Sequence, residues 1–266
     1  MTTMTSALPM TPARRGVLAI GVPIVLALIG FTGFSLVADI GQASYPVSYS
    51  IPVGSGRVTM STGGGDLTVR PGGAAGAGRL AGTVDYSLVR PTLTVNTTSS
   101  GTSADFKCHL QIGNCNLDAT LEIPARTAVS LSSDGGNLTA TGLTGDVTLS
   151  TGGGDLTVTG LPGRLRLSTD GGNINGSALT SQTVNAGTGG GDVTLTFASV
   201  PRNVQITTSG GNIKVILPHG RTAYNIHATS AGGATNYSSV PQDQVSTQHV
   251  ITATTGGGDV TITEPS

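Results

Sequence analysis

A doublet of glycines followed by Asp or Asn recurs along most of this 266-residue chain, at Gly64, Gly135, Gly153, Gly171, Gly190, Gly210 and Gly257, with a degenerate copy at Gly232. From Gly135 onward the intervals are 18, 18, 19, 20, 22 and 25 residues. A repeat of that length holds one supersecondary unit, which cannot bury its apolar face alone and must stack on its neighbours. The drift in period indicates that insertions lengthen one loop of the unit.

Side chains at fixed offsets from the doublet identify the unit. Six and four residues before the first glycine stand apolar pairs such as Val129 and Leu131, Val147 and Leu149, Leu165 and Leu167, and Val204 and Ile206. Three and five residues after it stand Leu138 and Ala140, Leu156 and Val158, Val193 and Leu195, and Ile213 and Val215; only Thr235 and Gly176 break this second pattern. The residues between are polar, which is the period-two alternation of strands with one buried face. Each repeat therefore reads as strand, glycine turn, strand, second turn, and Leu143, Leu161 and Leu179 mark the second turn eight residues after their doublets.

Coils of ~18–20 residues stacked at ~4.8 Å predict an all-β, flattened β-solenoid with a thin aliphatic core. Four buried side chains per coil, at ~1.5–3 kcal/mol each, contribute roughly 6–12 kcal/mol before ordering entropy, so several coils must fold together. A Greek-key sandwich is the rival, since turns every ~8–12 residues also suit it. Composition agrees with an all-β chain. Gly supplies 41 residues, only 10% are charged, 3% are aromatic and Trp is absent. That excludes helical bundles and basic nucleic-acid binders, and doublets without a three-residue period exclude collagen.

The glycine turn carries an alternating column. Two residues after the first glycine come Asn137, Asp155, Asn173, Asp192 and Asn212. Identical Asp residues stacked at ~4.8 Å would repel by ~1 kcal/mol in water and ~3–4 kcal/mol at an effective dielectric of 20, whereas an intervening Asn halves the repulsion and can donate to a carboxylate. The reading is of turn formers arranged to avoid stacked charge.

Residues Gly16 to Ala38 form an uncharged, mostly apolar run of 23, long enough as a helix to span a ~30 Å hydrocarbon core. Arg14 and Arg15 precede it and Asp39 follows it, which places the N-terminus inside and the remainder outside. A cleaved signal peptide, cut near Gly41-Gln42-Ala43, is the competing reading. The expected organisation is a cytoplasmic N-terminus at 1–15, a transmembrane helix at 16–38, a linker at 39–52 and a solenoid at 53–266 with a hairpin insertion at 71–121. Beyond the span, 11 basic residues face 14 acidic ones, net −3, which disfavours nucleic acid as a partner.

Within the insertion, Cys108 and Cys115 sit on an expected hairpin, and two cysteines with six residues between them in an exported domain suggest a disulfide across it. Gly-Gly-Gly-Asp-Leu is similar to the turn of calcium-binding β-rolls, making Asp66, Asp155, Asp192 and Asp259 the calcium candidates. Those rolls, however, place the motif twice per coil, and Ca²⁺ takes ~6–8 oxygen ligands. A carbohydrate-active β-helix enzyme would need clustered carboxylates on an outer face that is here chiefly Thr, so neither catalytic residues nor a cofactor are expected. Outward Thr pairs such as Thr139 with Thr141 and Thr157 with Thr159 are the most distinctive surface feature.

The Thr-Gly-Gly-Gly-Asp and Asp-Gly-Gly-Asn turns, the cysteine-bearing segment, the Ile123-Pro124 step into the repeats and the Val-x-Leu strands resemble the bacterial putative-adhesin family over roughly Val53 to Thr263. The resemblance implies a β-strand-repeat domain, an N-terminal membrane helix and an adhesive role, and it brings no catalytic or binding residues. Together these readings describe a single-pass bacterial plasma-membrane protein with a non-catalytic, adhesin-like or scaffold ectodomain. Its partner would be a surface glycan or protein. The alternatives are a calcium-binding β-roll-like repeat protein and a carbohydrate-active enzyme.

Overall fold

The computed structural model describes residues 42–54, 56–73, 76–109, 114–245 and 247–265. The chain divides into two units, Met1–Ala43 and Ser44–Ser266. The expected span at 16–38 and the segment before it lie outside the described residues. Among the described residues no helix is long and apolar enough to cross a membrane.

The regular structure of the described residues is all strand. Its first elements are β1 (Gln42–Pro52), β2 (Arg57–Thr62), β3 (Leu67–Pro71), β4 (Ala77–Ser87), β5 (Thr92–Thr98), β6 (Gly101–Lys107) and β7 (Cys115–Ile123). The repeats follow as β8 (Val129–Ser133), β9 (Leu138–Thr141), β10 (Val147–Thr151), β11 (Leu156–Thr159), β12 (Leu165–Thr169), β13 (Ile174–Leu179), β14 (Thr183–Thr188), β15 (Val193–Phe197), β16 (Asn203–Thr208) and β17 (Ile213–Ile216). The last are β18 (Asn225–Ser230), β19 (Thr235–Asn236), β20 (Val250–Thr255) and β21 (Val260–Thr263).

The strands before and after each glycine turn belong to different sheets, an 11-stranded one ordered β1-β4-β7-β3-β9-β11-β13-β15-β17-β21-β19 and a 10-stranded one ordered β18-β20-β16-β14-β12-β10-β8-β2-β6-β5. Pairing between repeats is parallel and in register. Val147 lies opposite Val129 on one side and Leu165 on the other, and Leu156 lies opposite Leu138 and Ile174. The chain thus climbs by one strand in each sheet per repeat, a solenoid-like, β-rich repeat fold. Parallel pairing without helical crossovers works because each connection runs to the facing sheet.

The apolar offsets form the core. Val147, Leu149, Leu156 and Val158 are buried, as are their equivalents in neighbouring coils, while Ala228, Thr235 and Tyr237 in the outermost coil are less so. Gly176, the other break in the pattern, is filled by a neighbour. A Cβ there would lie 2.8 Å from both Leu179 Cδ1 and Leu195 Cδ2, and the register shifts between Gly176 and Leu179 as that leucine turns inward. Leu143, Leu161 and Leu179 close the core at the second turn.

Two expectations are corrected, and the order of the coils in space differs from their order in the chain. The linker at 39–52 is a strand from Gln42 onward, because Tyr45, Val47 and Ile51 keep period two and Val47 and Ile51 are buried. The stretch 71–121 is not a hairpin inserted into the stack. Strands β4 and β7 pair antiparallel in one sheet and β5 and β6 in the other, while β6 and β7 themselves run parallel to β2 and β3 and form a coil without a glycine doublet. The copies also do not stack in chain order. Strands β20 and β21 enter between β16–β17 and β18–β19, so the last coil in sequence is second from the end in space.

The second glycine of each doublet is fixed by close approach of backbones. A Cβ on Gly154 would strike the carbonyl oxygen of Gly136 one coil away, whereas one on Gly153 would meet nothing within 4 Å. Gly154→Ala is therefore expected to lower stability by about 3 kcal/mol or more, because two backbones must separate, and Gly153→Ala to change it by less than about 1. Paired thermal melts check this, and equal losses contradict the stacking.

Candidate functional site

The feature that repeats most regularly on this surface is the glycine turn. Within it the column of Asp and Asn side chains is a hydrogen-bonded ladder between coils. The backbone N–H of Asn137 donates to Asp66 Oδ1 (2.9 Å), that of Asp155 to Asn137 Oδ1 (2.8 Å) and that of Asn173 to Asp155 Oδ1 (2.7 Å). The series continues from Asp192 to Asn173 (2.9 Å), from Asn212 to Asp192 (2.7 Å) and from Asp259 to Asn212 (2.9 Å). Each asparagine also donates from Nδ2 to the acid below it, at 3.3 Å for Asn137 to Asp66 and 3.2 Å for Asn173 to Asp155 and for Asn212 to Asp192.

In space the column reads Asp66, Asn137, Asp155, Asn173, Asp192, Asn212, Asp259. The alternation holds through Asp259 only because the last coil enters beside Asn212. Beyond it lies the Ala-Gly-Gly-Ala turn, where Ala234 N–H donates to Asp259 Oδ1 (2.7 Å) and no further coil needs an acceptor. At the opposite end Asp66 N–H donates to Asp118 Oδ1 (2.7 Å), the one step at which two acids adjoin.

A second column runs inside the first. Thr151, Thr169, Thr188, Thr208 and Thr255, two residues before each doublet, are buried. Thr169 Oγ1 donates to the Gly154 carbonyl of the preceding coil (2.9 Å) and accepts the Gly172 N–H of its own turn (3.1 Å), and Thr151, Thr188, Thr208 and Thr255 repeat the arrangement. These hydroxyls satisfy backbone groups that the tight turn removes from water. The offsets that mark the core strands leave this position unassigned. The available signal was parity, because they continue the inward series begun four and six residues before the glycine.

The four calcium candidates are thus brought into one column but held apart. An asparagine separates Asp66 from Asp155, Asp155 from Asp192 and Asp192 from Asp259, and in each acid Oδ1 accepts a main-chain N–H. No three His, Cys, Asp or Glu side chains converge on a metal-sized site among the described residues. An open cleft of about 580 Å³ at the second-turn side is lined by Val53, Arg57, Pro124, Arg126 and Thr127 among others, and among the described residues its lining holds no carboxylate, histidine or cysteine to act as base or nucleophile. Tyr224 is buried, and burial, with the Glu264 carboxylate second, pushes its phenol up to about 12, so it is neutral at physiological pH.

Cys108 and Cys115 form a disulfide with Cα atoms 6.2 Å apart. It joins the end of β6 in one sheet to the start of β7 in the other, so it closes a coil at the level where other coils use a glycine turn.

A family profile described as Toastrack DUF4097 matches residues 46–263. The chain belongs to the Toastrack family. Among solved structures this Toastrack domain is similar to a putative cell adhesion protein from Clostridium sporogenes, at 14% identity over 83% of this chain and 100% of that chain with a TM-score of 0.39. It is also similar to a putative adhesin from Bacteroides fragilis, at 12% identity over 83% and 97% of the two chains with a TM-score of 0.46. No curated protein matches the sequence.

In this Toastrack domain the acid–amide ladder separates a structural array from a metal site by experiment. Asn173→Asp places a carboxylate between Asp155 and Asp192 and removes the Nδ2 donor. It is expected to lower stability by about 1–2 kcal/mol at low ionic strength, with part of the loss recovered in salt. Asn175→Asp, on the outer face opposite Thr157 and Thr194, is expected to stay within about 0.5 kcal/mol. Millimolar Ca²⁺ is expected to leave the melting temperature of the unmodified protein unchanged. A calcium-dependent rise, enlarged by Asn173→Asp, would show that the column binds metal.

Proposed function

We propose that this Toastrack domain is a non-catalytic, adhesin-like or scaffold module held outside a bacterial plasma membrane by a single span at residues 16–38. The observation that carries the reading is the character of the two outer sheet faces. Rows such as Thr139, Thr157, Asn175 and Thr194 on one sheet and Ser132, Ser150 and Ser168 on the other repeat one small polar group per strand. Strand spacing sets that repeat at ~4.8 Å. Such a surface suits an extended partner, a glycan or a protein segment, contacted through many equivalent weak hydrogen bonds rather than in one deep pocket.

Two further points support the export half of the proposal. The Cys108–Cys115 disulfide fits an oxidising compartment, and Arg14 and Arg15 lie on the side of the apolar run that is retained in the cytoplasm. In intact cells, externally added protease is expected to digest the repeats while the undigested full-length chain sediments with membranes. Protection of the repeats until the cells are lysed overturns the topology. Screening residues 44–266 against arrayed glycans, alongside a variant with Thr157→Lys and Thr194→Lys, tests the face itself, since binding that the variant retains is not made there.

A further inference from the structure

Every open sheet ends in two strands whose outer main-chain groups lack a partner strand, and proteins guard such edges with proline, charge, short length or a covering loop. Of the four edges among the described strands, two are guarded along their length and a third at its start. Strand β1 carries Pro46 and Pro52, and β19 is only 2 residues long. The approach to β18 is met by a crossing segment, in which Tyr224 N–H donates to the Pro241 carbonyl (3.0 Å) and Asp243 N–H to the Tyr224 carbonyl (3.0 Å). Among the described residues, strand β5, the edge of the 10-stranded sheet beyond β6, has none of these devices. Its 7 residues, Thr-Leu-Thr-Val-Asn-Thr-Thr, include no charge, no glycine and no proline.

The registers determine which main-chain groups β5 offers. Arg57 N–H donates to the Ser100 carbonyl, and Arg57 lies opposite Gly101, so the main-chain groups of Thr102, Ala104 and Phe106 turn toward β2. Those of Gly101, Ser103, Asp105 and Lys107 therefore turn toward β5, where they meet Thr98, Asn96, Thr94 and Thr92. Leu93, Val95 and Thr97 are left directing N–H and C=O groups away from the molecule. Their side chains share the inner face, where Leu93 and Val95 pack half-buried against the core, while Thr92, Thr94 and Asn96 are exposed on the outer face.

We propose that β5 pairs antiparallel with β5 of a second copy of this chain about a twofold axis at Val95, joining the two 10-stranded sheets into one. The strand matches itself in this register. Leu93 falls opposite Thr97 of the second copy and Val95 opposite Val95, with their outward main-chain groups facing, and Thr94 opposes Asn96 on the outer face. Each copy's half-buried Leu93 and Val95 extend the other's apolar inner face, and no like charges meet. Because the contact is isologous it uses the same edge on both copies and closes at a dimer, leaving no free β5 to propagate a fibre. A different extended peptide would have to supply the same alternation without the twofold.

The test uses the full chain, purified in mild detergent for light scattering and left in membranes for cross-linking. The unmodified protein is expected to be a dimer that dissociates on dilution. Val95→Cys is expected to give a disulfide-linked dimer under mild oxidation, at least fivefold more than Thr157→Cys on an outer face. Thr94→Lys with Asn96→Lys sets lysines opposite one another at two places and is expected to weaken dimerisation at least tenfold, whereas Thr94→Lys with Asn96→Glu forms two cross-pairs and retains it. Thermal melts verify that both double variants fold, and should either not fold, the cysteine comparison decides alone. A monomer at tens of micromolar, equal cross-linking at Val95 and Thr157, or a dimer indifferent to the paired lysines overturns the proposal.

Discussion

A parallel stack of coils places every residue at about one strand spacing from its equivalents, so any group that dislikes its own kind is penalised at each step. The glycine turn is where this constraint is hardest to meet, because the chain reverses sharply there, withdraws amides from solvent and still carries polar side chains. The solution is the chain of contacts from Asp66 to Asp259, in which every side-chain oxygen that accepts a neighbour's amide is alternately charged and neutral. The threonine column beneath satisfies the remaining turn groups, and the glycines between admit the backbone of the next coil. Core leucines and valines supply most of the burial, and the turn ladder sets the register in which they meet.

Much of this was legible because the repeat is strict. The offsets that predict Leu149 or Val158 as core need only period two and a fixed landmark, and the alternation of Asp155 with Asn173 needs only Coulomb's law. The buried threonines were not legible from residue type, because Thr is equally at home on an outer strand face and composition cannot separate the two. The order of coils was not legible in the same way, since pairing of Val250 with Asn203 rather than with a strand nearer in sequence leaves no mark in local periodicity. One trace does exist. The degenerate doublet of the repeat, Gly232-Gly233, which Ala234 follows in place of Asp or Asn, ends the stack, where an acceptor side chain would have nothing to accept.

The ends share a design. At one, the first repeat coil is covered by a later one that lacks the glycine turn and is tied by Cys108–Cys115, and at the other the last coil is enclosed by an earlier one. The first and last repeat coils are therefore interior, so fraying of the outermost strands does not begin at the chain's final strand. A stack built in this way presents long, uniform outer faces, which suit the extended partner proposed above. The same regularity explains why the fold is easier to read than the partner, because small repeated hydroxyls carry little of the chemical individuality that marks a catalytic site.

Amide hydrogen exchange of the glycine-turn column at neutral pH tests the account most directly. Residues in exposed glycine turns normally exchange as fast as loops. If the ladder sets the stack, the amides of Asn137, Asp155, Asn173, Asp192 and Asn212 exchange as slowly as those of the core positions Leu149 and Leu167. Loop-like exchange in that column, with protection confined to the strands, would contradict it.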